Sequence, residues 1–255
     1  MANPPPKPRA ARLLHNATMQ HIKDLILREG LRPGDPMPTE SELCDMLEVS
    51  RSSVREAIRT LSALDIVEVR HGTGTFVGQM SLQPMIDSIV FRGAMSQQGS
   101  SLQILKEIVD VRHRLDVSIG PSLVELMRGK LHPELDELVE DMTEKADRGE
   151  IFVNEDRAFH VRLVEPLAST LLTQLVEAFW KIHTVTAPML GVPTPEDIAV
   201  TARSHGDMLR SAQEGDLAGY LAAVASHYAP LKRNIERFEA EQEARHQVVG
   251  QARTA

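Results

Sequence analysis

Between Thr39 and Val77 two short helical patterns, a tight turn and a glycine-tipped β-ribbon follow one another without slack, and few folds accept that order. Thr39-Glu40-Ser41-Glu42 is a capping box: the Thr39 hydroxyl can accept from the Glu42 amide while the Glu42 carboxylate reaches back to the Thr39 amide. A helix is therefore predicted from Glu40 through Leu43 and Leu47 to the turn Glu48-Val49-Ser50, where Ser50 is suited to cap a second helix, Arg51 to about Leu64. On a wheel, Val54, Ala57, Ile58 and Leu61 form one apolar stripe, and Arg51, Ser52, Arg55 and Arg59 cluster about a third of a turn away. Ile66-Val67-Glu68-Val69 and Thr75-Phe76-Val77 then flank Arg70-His71-Gly72-Thr73-Gly74 as a hairpin. The succession predicts a winged helix-turn-helix, and its expected partner is double-stranded DNA.

The first residues of a recognition helix approach base edges, and the planar fork of arginine matches guanine in the major groove. Arg51 and Arg55 are thus the candidate base readers, Ser50, Ser52 and Arg59 fall to phosphates, and Arg70 and His71 ride on the hairpin tip. The plainer reading of any one of these arginines is a solvated helix face, with Glu56 and Arg59 as a local ion pair. It does not account for the whole succession of elements.

At 255 residues the chain is long enough for about two domains. Ten of its 28 basic and ten of its 36 acidic residues lie at or before Gly78, so the entire net charge of −8 lies beyond it. The remainder is a poor candidate for nucleic-acid binding, and the neutral reader depends on local clustering of arginine. A single cysteine, Cys44, rules out an intrachain disulfide and agrees with a reducing compartment. No apolar run approaches the 18 or so residues needed to span a bilayer, and the proline-rich start lacks a signal-peptide core, so a cytoplasmic protein without a membrane partner is expected. Residues 1–12 read as a flexible arm, 13–78 as the reader, 79–102 as a connector with one helix from Gln83 to Met95 followed by a loose Ser-Gln-Gln-Gly-Ser-Ser stretch, and 246–255 as a frayed tail.

Residues 103–245 carry helical periodicity almost throughout. Ile104, Leu105, Ile108, Val111, Leu115 and Ile119 form one stripe, Leu135, Leu138, Val139 and Met142 a second, and Phe159, Leu163, Val164 and Leu167 a third. A further helix is expected from about Thr170 to Ala187. A loop then follows with Pro188 and Pro193, closed by Thr194 as cap and Pro195 at the first helical position, and two helices flank Gly215-Asp216. With no strand pattern, the expected architecture is an all-α antiparallel bundle, and the chain as a whole is mainly α.

The polar residues on the apolar faces of this bundle are unusual. Asp156 and His160 lie four apart on one side with Leu163 and Leu167, His205 shares a face with Met208 and Leu209, and His227 shares one with Tyr220, Val224 and Leu231. His205 and His227 are each roughly 15 Å from the Gly215-Asp216 turn at 1.5 Å per residue, which sets them level across a hairpin. A single buried histidine is ordinarily a hydrogen-bonded core residue, and His15, His21, His113, His132, His183 and His246 are read so. Three imidazoles and a carboxylate at matched levels point instead to a divalent cation: zinc, or nickel or manganese, all of which accept this donor set. Arg112 falls on the stripe with Ile108 and Leu115 and requires an anion, supplied either by a bound organic acid or by Asp116 four residues on.

Leu31 to Gly78 resembles the DNA-binding domain of the GntR family of bacterial transcription regulators, through Pro33-Gly34, Pro38-Thr39-Glu40, Val49-Ser50-Arg51, Val54-Arg55-Glu56-Ala57 and Gly74-Thr75-Phe76-Val77. The resemblance implies operator contacts by Arg51, Ser52 and Arg55, with His71 and Gly72 entering the minor groove. Ser41 departs from it where many members carry a further DNA-reading arginine, and Asp65 replaces a frequent glycine at the helix end. Asp156-Arg157-Ala158-Phe159-His160, Ser204-His205, Gly215-Asp216 and Ala223 to His227 resemble the FCD effector domain of the FadR subfamily, although Ser169 stands where asparagine is frequent. That resemblance implies that Asp156, His160, His205 and His227 ligate a metal whose coordination shell a small carboxylate completes, and it favours the effector as the partner of Arg112. The expected protein is a homodimeric repressor released from DNA by a small organic acid or sugar acid. The alternatives are a structural metal with a larger effector such as an acyl thioester, and a metal-dependent hydrolase, in which an open coordination position activates water.

Overall fold

The computed structural model describes residues 8–95, 98–192 and 197–254, which divide into two compact units between Pro84 and Met85. The first unit holds α1 (Pro8–Arg28), α2 (Glu40–Leu47), α3 (Arg51–Ala63) and the strands β1 (Val67–Arg70) and β2 (Gly74–Val77). Both capping predictions describe what is seen. The Thr39 hydroxyl accepts from the Glu42 amide at 3.3 Å, the Glu42 carboxylate accepts from the Thr39 amide at 2.8 Å, and the Ser50 hydroxyl accepts from the Ser53 amide at 3.2 Å. The strands pair antiparallel in the register Val67↔Val77 to Arg70↔Gly74, so the reversal is confined to His71–Thr73.

The core of this unit joins Ile22, Leu25 and Ile26 of α1 to Leu43 of α2, Val54, Ala57, Ile58 and Leu61 of α3, and Val67 and Val77 of the hairpin. Helix α1, whose residues from 13 on the sequence reading assigns to the reader but not to a helix, packs on α3. It begins at Pro8, inside the segment read as an arm, because proline is favoured at a first helical turn and the helix has α3 to pack on. Asp65 takes the left-handed conformation (φ 56°), and its carbonyl accepts from the Met80 amide at 2.8 Å and its carboxylate from the Ser81 amide at 2.9 Å. Gly78 passes so close to this corner that an added Cβ would collide with the Asp65 carbonyl.

The second unit contains α4 (Gln83–Met95, which starts just before it), α5 (Gln98–Met127), α6 (Pro133–Asp147), α7 (Val153–Leu163), a 3-10 turn (Glu165–Leu167), α8 (Thr170–Met189), α9 (Ile198–Glu214) and α10 (Leu217–Thr254). Helices α9 and α10 form a hairpin about Gly215, which takes φ 77°, and the Asp216 side chain accepts from the Gly219 amide at 3.0 Å to start the second arm. Helix α10 also packs on α5, α9 on α6, and α7 between α6 and α8, around Leu105, Leu123, Met127, Met142, Phe159, Met208, Tyr220 and Tyr228. Among the described residues no helix is long and apolar enough to cross a membrane.

Three expectations are corrected here. Residues 98–101 of the loose stretch belong to α5, while residues 96 and 97 lie outside the described residues. Pro188 sits in the last turn of α8, where the helix is already ending, and the cap proposed at Thr194 with its flanking Pro193 and Pro195 also lies outside the described residues. Residues 246–254 continue α10, running on from the stretch 239–245 that consists of Glu, Ala, Gln and Arg, residues of high intrinsic helix propensity, although Val248, Val249 and Gly250 themselves favour a helix less.

Candidate nucleic-acid interface and metal centre

In α3 the apolar stripe is buried and Arg51, Ser52, Arg55 and Arg59 are exposed, so one face is spent on the core and the other is open to solvent. Ser50 is engaged in the cap and shares its hydroxyl with those of Ser52 at 2.8 Å and Ser53 at 2.9 Å. The Arg51 side chain makes no hydrogen bond or ion pair with any described residue. Arg55 does: its Nε–H donates to the Glu40 carboxylate of α2 at 2.7 Å. The local pair Arg59–Glu56 exists at 3.8 Å, with both side chains mostly in water, where such pairs contribute little. On the hairpin, Arg70 donates to Glu68 at 2.8 Å and its guanidinium lies 4.1 Å from the centre of the Phe76 ring, while His71 and Gly72 form the exposed tip. The reader thus presents Arg51, Ser52, Arg55 and Arg59 on one helix and His71 and Gly72 on the adjoining turn.

In the second unit α7 contributes Asp156 and His160, α9 contributes His205 and α10 contributes His227, and one donor atom from each lies within 4.8 Å of the others. Asp156 Oδ1 is 3.0 Å from His205 Nε2 and 3.2 Å from His160 Nε2, and His160 Nε2 is 3.2 Å from His227 Nε2. The hairpin sets His205 and His227 level, with ring centres 4.5 Å apart. All three rings are buried, Phe159 stands edge-on to His205 at 4.8 Å, and Trp180 Nε1–H donates to Asp156 Oδ2 at 3.3 Å.

The electrostatics leave Asp156, His205 and His227 in ligating form. Burial lowers the His205 pKa against the opposing pull of Asp156, and burial followed by the neighbouring His205 and His160 holds His227 well below the ordinary histidine value. Burial alone would raise the Asp156 carboxyl, but hydrogen bonds from His160 and His205 outweigh it and keep the group well below the usual carboxylate range. Three rings turn Nε2 toward one ionised carboxylate, two of them nitrogen to nitrogen, and His227 Nδ1 is buried without a partner among the described residues. Hydrogen bonds alone satisfy such a set poorly. Its three-nitrogen, one-oxygen donor chemistry fits a divalent cation.

Beside this cluster opens a cavity of about 220 Å3, lined by Asp156 and His227 together with Arg112, Trp180, His183 and Thr201 and closed by apolar side chains. Arg112 is buried, and Asp116 is not its partner. Asp116 accepts from the Tyr228 hydroxyl at 2.7 Å, while Arg112 Nη1 donates to His183 Nδ1 at 3.0 Å, and no described carboxylate lies within ion-pairing distance of the guanidinium. The anion that a core-facing arginine requires is therefore not supplied by the alternative weighed from sequence. His183, read from sequence as ordinary, belongs to this pocket; burial and then the Arg112 charge push its pKa down to about 3. Its spacing carried a signal: His183 recurs with Val176, Trp180 and Ala187 on the inner face of α8.

Residues 14–77 match the gntR family of bacterial regulatory proteins, and residues 107–230 match the FCD domain. NedR of Micromonospora viridifaciens, named as a transcriptional regulatory protein, is 39% identical over 104 residues, covering 41% of this chain and 75% of that protein. The galactonate operon transcriptional repressor of Escherichia coli K12 is 23% identical over 205 residues, 78% of this chain and 89% of its own length. In fold, the chain is similar to a GntR protein of Streptococcus agalactiae, with a TM-score of 0.64 at 20% identity, covering 86% of this chain and 99% of that one.

Proposed function

Since the chain belongs to the gntR family of bacterial regulatory proteins and carries an FCD domain, and is thus a transcription regulator and not an enzyme, we propose that it is a cytoplasmic repressor released from DNA by a small carboxylate. Arg51 and Arg55 read base edges in the major groove, Ser50, Ser52 and Arg59 hold phosphates, and Arg70, His71 and Gly72 of the wing meet the adjoining minor groove. One reader covers only a short half-site, so the operator is a pseudo-palindrome and the protein binds it as a homodimer.

The observation that carries the effector half of this reading is a buried, carboxylate-free Arg112 on the same cavity as Asp156 and His227. Asp156, His160, His205 and His227 would hold a divalent cation, zinc by its preference for nitrogen and oxygen donors, and when bound it supplies a Lewis-acidic position for a carboxylate or hydroxyl oxygen. Arg112 pairs with the acid in the geometry its planar fork favours, and Trp180 holds the free oxygen of Asp156. A cavity of about 220 Å3 is below the roughly 300–1,000 Å3 of pockets for drug-sized ligands, which favours a compact organic or sugar acid over an acyl thioester. The galactonate operon repressor, to which the chain is similar, is named for the operon of a sugar acid of that size. Three separate helices converge on the site, so a ligand that prefers one bundle arrangement shifts its population, and DNA affinity shifts with it.

The test is fluorescence anisotropy of the full chain on duplex from its own upstream region, against random duplex, with a panel of small organic and sugar acids added with and without zinc. Preference for the upstream duplex, lost on Arg51→Ala and relieved by at least one acid only with metal present, is the expected result. Equal binding to both duplexes in moderate salt would overturn the reading, and relief by an acid that Arg112→Ala leaves unchanged would overturn its effector half.

A further inference from the structure

The capping box at the start of α2 uses Glu42, whose carboxylate turns back to Thr39 and closes the helix end. Glu40, two residues earlier, is left to face the other way. It crosses to α3 and accepts from Arg55 Nε at 2.7 Å, across 15 residues of chain. The other arginines of α3 and the hairpin are held differently: the Arg51 side chain has no described partner, Arg59 meets Glu56 of its own helix only at 3.8 Å, and Arg70 pairs with its near neighbour Glu68. Arg55 is thus the one arginine of the exposed α3 face that a second helix takes hold of.

The atom bonded matters. A guanidinium offers two edges for a two-pronged contact, one made of Nε and a terminal nitrogen and the other of the two terminal nitrogens. With Nε occupied, the side edge is closed and the end edge, with both terminal nitrogens, remains open. Guanine presents O6 and N7 as two acceptors side by side, which suits that end edge. A carboxylate on a DNA-facing surface also repels phosphate, so Glu40 lowers affinity for any duplex while it orders the side chain that discriminates among them.

We propose that Glu40 is a positioning residue for base recognition: it holds Arg55 by Nε–H and commits the two terminal nitrogens to a guanine. The proposal rests on the reading of Arg55 as a base reader. It predicts opposite signs for two quantities that a merely structural role would move together. Removing Glu40 weakens sequence discrimination at one base pair per half-site and strengthens binding to arbitrary duplex.

The experiment enriches a random-core duplex pool on the full chain and sequences the bound fraction, for the wild type, Arg55→Ala, Glu40→Ala and Glu40→Gln, with circular dichroism and melting temperature to verify folding. Arg55→Ala identifies the position that Arg55 reads. Glu40→Ala is expected to reduce the guanine preference at that same position about tenfold, leave the other positions unchanged, and tighten binding to unselected duplex. Glu40→Gln, whose amide oxygen still accepts from Nε–H, is expected to restore most of the preference without the repulsion. An unchanged motif for Glu40→Ala beside a changed one for Arg55→Ala would overturn the proposal alone, leaving an exposed ion pair. Uniform flattening at every position would also overturn it. A wild type that enriches no motif, or an Arg55→Ala motif identical to the wild type, would overturn the underlying reading of Arg55 and this proposal with it.

Discussion

His183 shows how far one side chain depends on its surroundings. Arg112 can only donate, so His183 Nδ1 accepts and the ring proton sits on Nε2. Its pKa in the fold is about 3 against an ordinary 6.5, so above pH 6.5 neither the folded nor the unfolded chain protonates it, and below that only the unfolded chain does. Stability therefore falls with acid between those values. Because the ring lies on the wall of an open cavity, the share lost between pH 7 and pH 5 is about 1 kcal/mol, less than the full linkage value. Thermal melts at the two pH values are expected to converge by about that amount in His183→Gln; an unchanged acid sensitivity would show that other groups carry it. Asp116 was an equally reasonable partner for Arg112 on helical spacing, and only the Tyr228 hydroxyl drawing Asp116 aside decided between them.

At the scale of elements, local chemistry and tertiary packing separate cleanly. The capping box, the Ser50 cap and the strand pairing are local, and their residues announce them. Thr39→Ala removes the side-chain acceptor and is expected to destabilise the first unit by about 1 kcal/mol, a shift of roughly 4–8 °C for a unit of this size, measurable by thermal melting of the full chain. No shift would mean that water replaces the cap. Helix α1 illustrates the opposite case. Its buried Ile22, Leu25 and Ile26 acquire meaning only against Val54, Ala57 and Leu61 of α3, so residues from 13 on are placed in the reader by sequence without being read as a helix. The α9–α10 hairpin falls between the two: its turn is legible in Gly215-Asp216, and the levelling of His205 and His227 follows from equal arm lengths.

For the whole molecule, the metal reading makes a measurable claim about the second unit. A ligand that binds only the folded state at a hundredfold excess over its dissociation constant stabilises by about 2.7 kcal/mol. Dialysis against a chelator is therefore expected to lower the melting temperature of the helical unit, with the capped reader unaffected, and added zinc to restore it. His205→Ala should melt at the chelated temperature and no longer respond to zinc. Elemental analysis showing no divalent metal in the wild type after purification without chelator, together with no response to added zinc, would count decisively against the site.

By itself the sequence determined the elements whose causes lie within a few residues of one another: caps, turn, hairpin, the period of each bundle helix, and the four donors placed at matched levels on three of those helices. Tertiary structure decided what depends on residues far apart in the chain. It supplied α1 with a partner, turned Glu40 toward Arg55, gave Tyr228 rather than Arg112 to Asp116, and brought His183 of α8 into the pocket. The physical reason is range. Caps and turns are satisfied by backbone groups within about one helical turn, so composition reveals them, whereas the partner of a buried charge is chosen by whichever element packs against it.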